Sequence, residues 1–507
     1  MKFIFRNKLL LLILFVAVML RLILALHGGQ SYFPDENRYL SSIQFLNLWL
    51  KGDFFQSMTF LSTVHAHPMY VVVSAALQYL SYIALNLSFP THIEWDFVYS
   101  PNSMKFSAFC LSIFSVVSIF LVYKIAERTG AEKRESLMAA CLMGCSNSIF
   151  YFSRHLLPYD IAMAFALLAL WIGLKKGSGL RTSFLCGIIA GFASMLYYGI
   201  FILSLTAIFF NIFIGSKNIL RVALKAMANA AGFLMIPCLL IIFGVVMGKG
   251  NALSELVDFF GTVNQGTFSE GWSFPWEYLW HSEHLLLFLW FLAILVVLGF
   301  GFLKRFQSAL FFRAVKWLAA IIIYIIFGFF SVTLHKFVIY GRAVRQMVPF
   351  FCLLTACAFE MSGIFQRSKI LLSGVLILIL IQTAINFKTP LLLRFPPEVQ
   401  EDISRKYGWV KQSISIVGHP LSKDIISNPF SGYVLLNAQS DFFPVLGSYN
   451  HVEGKVLYRT KHPLEFLPYQ YEGYTPIQRT ILRSTDISIR LLKIDNNLIT
   501  NLFFRQQ

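Results

Sequence analysis

Long runs of apolar residues, separated by short polar segments, fill the chain up to about residue 388. At about 1.5 Å of rise per helical residue, runs such as 9–26 and 285–303 can cross a hydrocarbon layer about 30 Å thick. The pattern therefore predicts an all-α polytopic membrane domain with about eleven spanning helices. We place these spans at 9–26, 104–123, 136–152, 160–174, 182–198, 199–215, 226–247, 284–303, 315–330, 346–362 and 370–387.

The run 69–89 is also apolar enough to span the membrane. Counting it as a crossing would reverse the predicted side of every later loop. We therefore interpret it as a helix that packs within a large first external loop or enters only part of the bilayer. The alternative is a full span that is compensated by a further, unidentified crossing.

Basic residues follow every second apolar run, as the positive-inside rule expects of cytoplasmic loops. These basic segments are 124–134, 175–181, 217–225, 304–316 and 367–369. Lys2, Arg6 and Lys8 precede the first run, and no good small-residue cleavage site lies near Leu26. We therefore favour an uncleaved first helix over a signal peptide, with a cytoplasmic N-terminus and an external C-terminus.

The polar sequence after Phe387 differs from all that precedes it. A linker at 389–397 leads to short strand-like runs at 413–417, 433–436, 455–458 and 487–494. The sequence thus predicts two domains. Residues 1–388 form the transmembrane domain, and residues 389–507 form a small external domain of α/β or mostly β structure.

The composition agrees with a membrane protein and excludes a nucleic-acid partner. Hydrophobic residues make up 57% of the chain and charged residues 13%, whereas a soluble domain carries about 25% charged residues. The formal net charge is +17, but the basic residues are dispersed between apolar runs and do not form one basic face. The 7 cysteines lie in or beside apolar runs without metal-ligand spacing, so no disulfide is expected.

Two adjacent carboxylates, Asp35 and Glu36, follow the first predicted helix on the external side. A Pro-Asp-Glu sequence is also an ordinary helix start, so this pattern alone fits a structural role as well as a functional one. A further acid, Asp160, follows Arg154 and His155 on the same predicted side, where an aspartate is also an ordinary helix cap. We expect Asp35, Arg154 and Asp160 to lie close together on the external side.

Two histidines, His65 and His67, precede Tyr70 at the start of the run 69–89. A metal site needs about three protein ligands, so Asp35 or Glu36 would have to complete it. Polar histidines at a helix start are the commoner case. No cofactor is therefore predicted with certainty, although a divalent metal remains open.

Positive charge is concentrated at Lys336, Arg342 and Arg345, around Tyr340, on the predicted outer side. The positive-inside rule disfavours cations there, so they require a partner. A lipid phosphate or pyrophosphate would provide one. General pairing with lipid headgroups is the alternative.

In order and spacing, these residues resemble the integral-membrane glycosyltransferases of the C-type fold. The resemblance is to the branch that contains the dolichyl-phosphate-mannose protein mannosyltransferases and the bacterial transferase that adds aminoarabinose to lipid A. It is carried by Arg21, Asp35-Glu36 with Tyr39, the run 67–70, Arg154 with Asp160, and the run 340–349. Met69 stands where family members often have a second proline.

The resemblance implies transfer of a hexose or pentose from a polyprenyl-phosphate donor to an acceptor hydroxyl on a lipid, glycan or protein. The expected site of this cell-envelope glycosylation is the external face of a bacterial inner membrane. Asp35 would be the catalytic carboxylate, with Glu36 and Asp160 helping to shape the site. Substrate contacts are expected from His65, His67, Tyr70, Arg154, His155, Lys336, Tyr340, Arg342 and Arg345.

Two other function classes share these substrates. A transporter or flippase of lipid-linked sugars would place ionisable residues near the midplane of its helices, whereas most of the charges here lie at the outer edge. A polysaccharide polymerase or ligase of another fold would be favoured if Asp35 and Arg345 were far apart.

Overall fold

The computed structural model describes residues 8–30, 34–64, 66–175, 177, 179–214, 218–247, 254–255, 257–258, 261, 274–302, 308–334, 344–363 and 369–392, together with four later strands. The chain divides into two compact units, Met1–Lys388 and Thr389–Gln507.

The described elements of the first unit are helices, the last of which ends at Leu392. They are α1 (Lys8–His27), α2 (Asn37–Ser41), α3 (Ile43–Leu50), α4 (Phe54–Ser62), α5 (Pro68–Asn86), α6 (Trp95–Val98), α7 (Pro101–Arg128), α8 (Lys133–Cys145), α9 (Asn147–Phe150), α10 (Tyr159–Gly173), α11 (Leu180–Leu196), α12 (Phe201–Phe213), α13 (Ile219–Met247), α14 (Phe274–Glu283), α15 (Leu285–Phe302), α16 (Ala309–Leu334), α17 (Val348–Met361) and α18 (Lys369–Leu392). Short 3₁₀ helices lie at Pro34–Glu36, Tyr151–Arg154, Tyr198–Ile200 and Arg345–Met347.

Five described helices are long and apolar enough to cross a membrane: α1, α5, α7, α13 and α16. A sixth span results if α8 and the segment Asn147–Arg154, which are bent by 65° relative to each other, are counted as one. Other apolar helices, such as α10 and α11, are shorter. The predicted all-α membrane unit is thus confirmed, whereas the number of eleven crossings stays a prediction.

The segment 69–89 forms most of helix α5, which packs against α2, α3, α7 and α11. Its length and composition are sufficient for a crossing. Both interpretations of this helix, as a packed element of the external loop or as a full span, therefore stay open.

Helix starts in the first unit follow local chemistry. The hydroxyl of Ser100 accepts a hydrogen bond from the Ser103 amide at 3.3 Å, and Pro101 occupies the first turn of α7. The carboxylate of Asp53 caps α4 in the same way, accepting from the Gln56 amide at 3.0 Å. Helix α7 ends just before Gly130, whose φ of +88° suits glycine and turns the chain toward α8.

Helix α10 lies at the centre of the unit, packed against α7, α11 and α12. Helices α11 and α13 approach each other closely at two glycines. A Cβ atom built on Gly187 would lie 2.2 Å from the Asn229 carbonyl oxygen, and one on Gly191 would lie 2.4 Å from that of Phe233. The two backbones are therefore in direct contact, as small residues allow in membrane helices.

The second unit contains a four-stranded sheet. Its strands are β1 (Ser413–Ile416), β2 (Gly432–Asn437), β3 (Lys455–Arg459) and β4 (Ile489–Ile494), in the order β1-β2-β4-β3. Strand β1 pairs with β2 in parallel, and β4 is antiparallel to both β2 and β3. The strands overlap the four runs predicted from sequence.

Candidate functional site

Asp35 is the more accessible of the two adjacent carboxylates and lies in the 3₁₀ helix that precedes α2. One carboxylate oxygen lies 3.2 Å from Nη1 of Arg38, and the other accepts a hydrogen bond from the Tyr159 hydroxyl at 3.2 Å. Its side chain remains 26% exposed. These neighbours hold the carboxylate in place and leave it open to another molecule.

Glu36 is fully buried and faces in a different direction. Its Oε1 accepts the Leu156 amide hydrogen at 2.6 Å, and its Oε2 lies 3.5 Å from Nδ1 of His155. The Tyr70 hydroxyl donates to the Leu156 carbonyl at 2.7 Å. Glu36 and Tyr70 thus bind the backbone amide and the backbone carbonyl of Leu156, three residues before Tyr159.

His155 and Arg154, which precede Leu156 in the chain, are also buried. Burial lowers the pKa of His155, and the carboxylate of Glu36 opposes this effect. His155 is therefore expected to be neutral at pH 7. Arg154 donates from Nε to the Gly28 carbonyl at 2.9 Å, which ties the 3₁₀ helix Tyr151–Arg154 to the end of α1.

Asp160 and Arg345 form a buried ion pair, although 185 residues separate them in the sequence. The guanidinium carbon of Arg345 lies 5.3 Å from the centre of the Phe152 ring. Among the described residues, Nε and Nη1 of Arg345 have no hydrogen-bond partner.

A second buried arginine, Arg21, projects from α1. Its Nε donates to the Ser115 hydroxyl at 2.6 Å, and its Nη1 donates to the Ala17 carbonyl at 3.2 Å. Nη2 finds no acceptor in the described part of the chain. Arg21 also interacts electrostatically with Asp160. From the sequence alone, one could expect only that a charge within an apolar run needs a partner.

Aromatic rings connect the Asp35 region to Arg345. The ring of Tyr159 lies 5.0 Å from that of Phe152 and 4.8 Å from that of Tyr197. Because Tyr159 contacts Asp35 and Phe152 contacts Arg345, a continuous path of contacts joins the accessible carboxylate to the buried cation. None of these aromatic residues was identified from the sequence.

His67 lies immediately before α5, with a φ of 62°. Its Nδ1 accepts the Tyr198 amide hydrogen at 3.2 Å, and its ring packs on those of Tyr197 and Tyr198. No group of three His, Cys, Asp or Glu side chains suited to a metal occurs within the described ranges. The other candidates His65, Lys336, Tyr340 and Arg342 lie outside the described residues.

Glu283 is a buried carboxylate that the sequence did not single out. It accepts hydrogen bonds from the Ser146 hydroxyl at 2.7 Å and from the amides of Ser148 at 2.9 Å and Asn147 at 3.2 Å. Burial raises the pKa of Glu283, and these hydrogen bonds oppose the shift. The carboxylate thus stabilises the bend between α8 and α9, from which the chain continues to Arg154 and Asp160.

Residues 102–242 match the family model described as "Dolichyl-phosphate-mannose-protein mannosyltransferase". No curated protein sequence matches the chain. The match confirms the resemblance to membrane glycosyltransferases of the C-type fold that the sequence predicted.

Two solved structures from Archaeoglobus fulgidus are also similar to the chain. One is an oligosaccharyltransferase tethered with an acceptor peptide containing the NVT sequon, with 15% identity, a TM-score of 0.44 and coverage of 78% of this chain and 57% of the other. The second is the oligosaccharyltransferase AglB in complex with an inhibitory peptide and a dolichol-phosphate, with 15% identity, a TM-score of 0.47 and coverage of 80% and 58%. The chain thus spans less than two thirds of either structure.

Proposed function

We propose that this membrane glycosyltransferase moves one hexose or pentose from a polyprenyl-phosphate donor to an acceptor hydroxyl at the external face of a bacterial inner membrane. The observation that carries the proposal is the path of contacts from the accessible carboxylate of Asp35 to the buried guanidinium of Arg345. This path supports our proposal that a base for the acceptor and a cation for the donor belong to one site.

The proposed reaction is a single displacement. The acceptor oxygen attacks the anomeric carbon, its proton passes to Asp35, and the bond between that carbon and the phosphate oxygen breaks. The electron pair of this bond stays on the departing lipid phosphate, where cations stabilise the developing charge. Attack opposite the leaving group inverts the anomeric centre.

The surrounding residues divide between supporting and binding roles. Arg38 and Tyr159 hold Asp35 in place, and Glu36 acts through the segment that carries Tyr159. Arg345 is the described member of the predicted cation group, which includes Lys336 and Arg342, and we propose that it binds the donor phosphate. The acceptor remains a lipid, a glycan or a protein.

The test is sugar transfer by an Asp35→Asn variant, assayed with a panel of radiolabelled polyprenyl-phosphate hexoses and pentoses. Asparagine keeps the size of the side chain but is a poor proton acceptor. General-base help typically contributes about 10² to 10⁴ in rate, so the variant should lose at least about 100-fold.

The chain offers a matched control at another aspartate near a helix start. Asp53 caps α4 through the Gln56 amide, and asparagine caps a helix about as well as aspartate does. Asp53→Asn should therefore transfer sugar at the normal rate. Near-normal transfer by a well-folded Asp35→Asn variant would remove Asp35 from the chemistry and reduce it to a structural residue.

A further inference from the structure

Arg21, Asp160 and Arg345 form one buried charge cluster, named here the two-arginine cluster. Their exposed fractions are 0%, 4% and 2%, respectively. The Asp160 carboxylate is paired with Arg345 and interacts electrostatically with Arg21 as well. Among the described residues, two cations thus act on one carboxylate, which leaves an excess of positive charge at this cluster.

The cluster also has unused hydrogen-bond donors. Nη2 of Arg21, together with Nε and Nη1 of Arg345, lacks an acceptor among the described residues. A buried donor without a partner is destabilising, and more so when it belongs to a charged group. An anion with several acceptor oxygens would both compensate the excess charge and accept hydrogen bonds from the unused donors.

The side chain of Arg21 is held in position before any ligand arrives. The Ser115 hydroxyl on α7 and the Ala17 carbonyl take two of its nitrogens, so only Nη2 remains available. Helix α1 also packs against the 3₁₀ helix Tyr151–Arg154, which contains the Phe152 ring near Arg345. A preorganised guanidinium binds a phosphate without a large loss of side-chain entropy.

We infer that Arg21 and Arg345 together bind the lipid phosphate, and that Asp160 is a counter-ion that weakens this binding so that the lipid-phosphate product can leave. The inference rests on the proposed function and assigns Asp160 no proton-transfer role. Asp160 competes with the phosphate for Arg345 and repels its negative charge. Removing the charge of Asp160 should therefore strengthen phosphate binding, whereas loss of a residue that supports the site would weaken it.

Binding of geranylgeranyl monophosphate to the purified full-length protein in detergent micelles tests the inference without any sugar transfer. By calorimetric titration, Asp160→Asn should bind this probe at least about tenfold more tightly, because one nearby like charge is removed. Arg21→Gln should bind it at least about tenfold more weakly. Equal or weaker binding by Asp160→Asn would overturn the counter-ion role, and unchanged binding by Arg21→Gln would remove Arg21 from the site.

Glu135→Gln provides the matched control, because it also neutralises a buried carboxylate paired with an arginine, in this case Arg313. It should bind the probe as the unchanged protein does. Inorganic phosphate should bind far more weakly than the probe, since it has no apolar chain. Equal affinities would indicate a site for free anions and would overturn the lipid assignment.

Turnover provides a second readout. In Asp160→Asn the first round of sugar transfer should proceed nearly as before, but the steady-state rate should fall because product release becomes slower. A first round that is slowed equally would overturn the release role of Asp160. If this variant does not fold, the binding test on Arg21→Gln and Arg21→Lys decides the role of Arg21, with only partial binding expected of the lysine.

The inference and the proposed function can fail separately. Altered probe binding in these variants, combined with full transfer activity of Asp35→Asn, would keep the phosphate site and refute the proposed base. An inactive Asp35→Asn variant, combined with unaltered probe binding in the Arg21 and Asp160 variants, would keep the proposed base and refute the phosphate site.

Discussion

Two buried arginine–carboxylate pairs in the helical unit differ in how their charges and donors are balanced. In the first pair, Nη2 of Arg313 lies 2.6 Å from the Glu135 carboxylate, and Nη1 donates to the Gly130 carbonyl, so that only Nε lacks a partner within the described residues. In the second pair, Arg345 donates to Asp160 and has two unpartnered nitrogens.

The further charged groups that act on the two carboxylates differ in sign. Besides Arg313, the acid Glu360 acts electrostatically on Glu135. Besides Arg345, a second arginine, Arg21, acts electrostatically on Asp160. Of these described charges, those beside the second pair favour an anion more than those beside the first. Burial of an ion pair therefore does not by itself reveal its role, whereas the balance of charges and donors around it does.

The largest expected effect is on stability and comes from the first pair. Arg313→Ala leaves Glu135 buried without its cation, and loss of one partner from such a pair typically costs about 3 to 5 kcal/mol. The free energy of unfolding should fall by this amount in mixed detergent micelles titrated with a denaturing detergent. Binding of geranylgeranyl monophosphate by the molecules that remain folded should not change.

The comparison would fail if Arg313→Ala left stability within about 1 kcal/mol of the unchanged protein, far below the usual cost for such a pair. It would also fail if the probe were bound at least tenfold more weakly. The first result would mean that this pair does not support the fold, and the second that it belongs to the binding site.

The next effect is on donor use and comes from the second pair. Arg345→Ala should raise the KM for the lipid donor at least about tenfold, because a charge-assisted contact to phosphate is lost. The KM for the acceptor should change much less. Arg345→Lys keeps the charge but lacks the planar guanidinium. Its KM for the lipid donor should therefore lie between those of the unchanged protein and Arg345→Ala. A donor KM that is unchanged in both variants would exclude Arg345 from the donor site.

The difference between the two pairs could not be derived from sequence, although much of the surrounding fold could. Apolar runs predict the helices because their period and length reflect local backbone hydrogen bonding and membrane thickness. The acid motifs and Arg345 stand out because charge beside an apolar run is unusual. Which charges meet depends instead on how distant helices pack, as with Arg21 and Asp160.

The adjacent acids and Glu283 illustrate the same limit. Asp35 and Glu36 are neighbours in the sequence, yet only contacts with a segment 120 residues later decide which of them is buried. Glu283 accepts from Ser146, 137 residues earlier, and no local motif marks this pairing. Local patterns therefore predict the elements and the candidate residues, whereas the division of roles among those residues requires the tertiary structure.

Acidification should weaken the region near Asp35 through His155. Burial lowers the pKa of His155 below its unfolded value of about 6.5. Its contribution to stability is therefore complete above pH 6.5 and is lost as the pH falls toward the folded pKa, because the unfolded chain takes up the proton first. Unfolding midpoints at pH 7.5 and pH 5.5 should show the loss.

A variant without this imidazole separates its contribution from that of other groups. The change in unfolding midpoint between pH 7.5 and pH 5.5 should be smaller in His155→Gln than in the unchanged protein. If the unfolding midpoint changed equally between pH 7.5 and pH 5.5 in His155→Gln and in the unchanged protein, His155 would not be the cause of the pH dependence.

The smallest expected effect concerns the turn that supplies the second acceptor to Arg313. Gly130 has a φ of +88° and Gly177 a φ of +70°, so alanine should be strained at both, at a cost of about 1 to 3 kcal/mol. A Cβ atom on Gly130 would lie 3.7 Å from Nη1 of Arg313, an ordinary contact, and one on Gly177 would meet no atom of a described residue within 4 Å. Within the described residues, neither alanine would therefore clash. Gly130→Ala should be less stable than Gly177→Ala by up to about 1 kcal/mol, because relaxing the turn also moves the carbonyl that binds Arg313.

In an Arg313→Ala background this difference in stability should disappear, since the Gly130 carbonyl then has no guanidinium to bind. A difference that persists there would show that the Gly130 carbonyl contributes nothing through Arg313, and the first pair would then depend on the carboxylate of Glu135 alone.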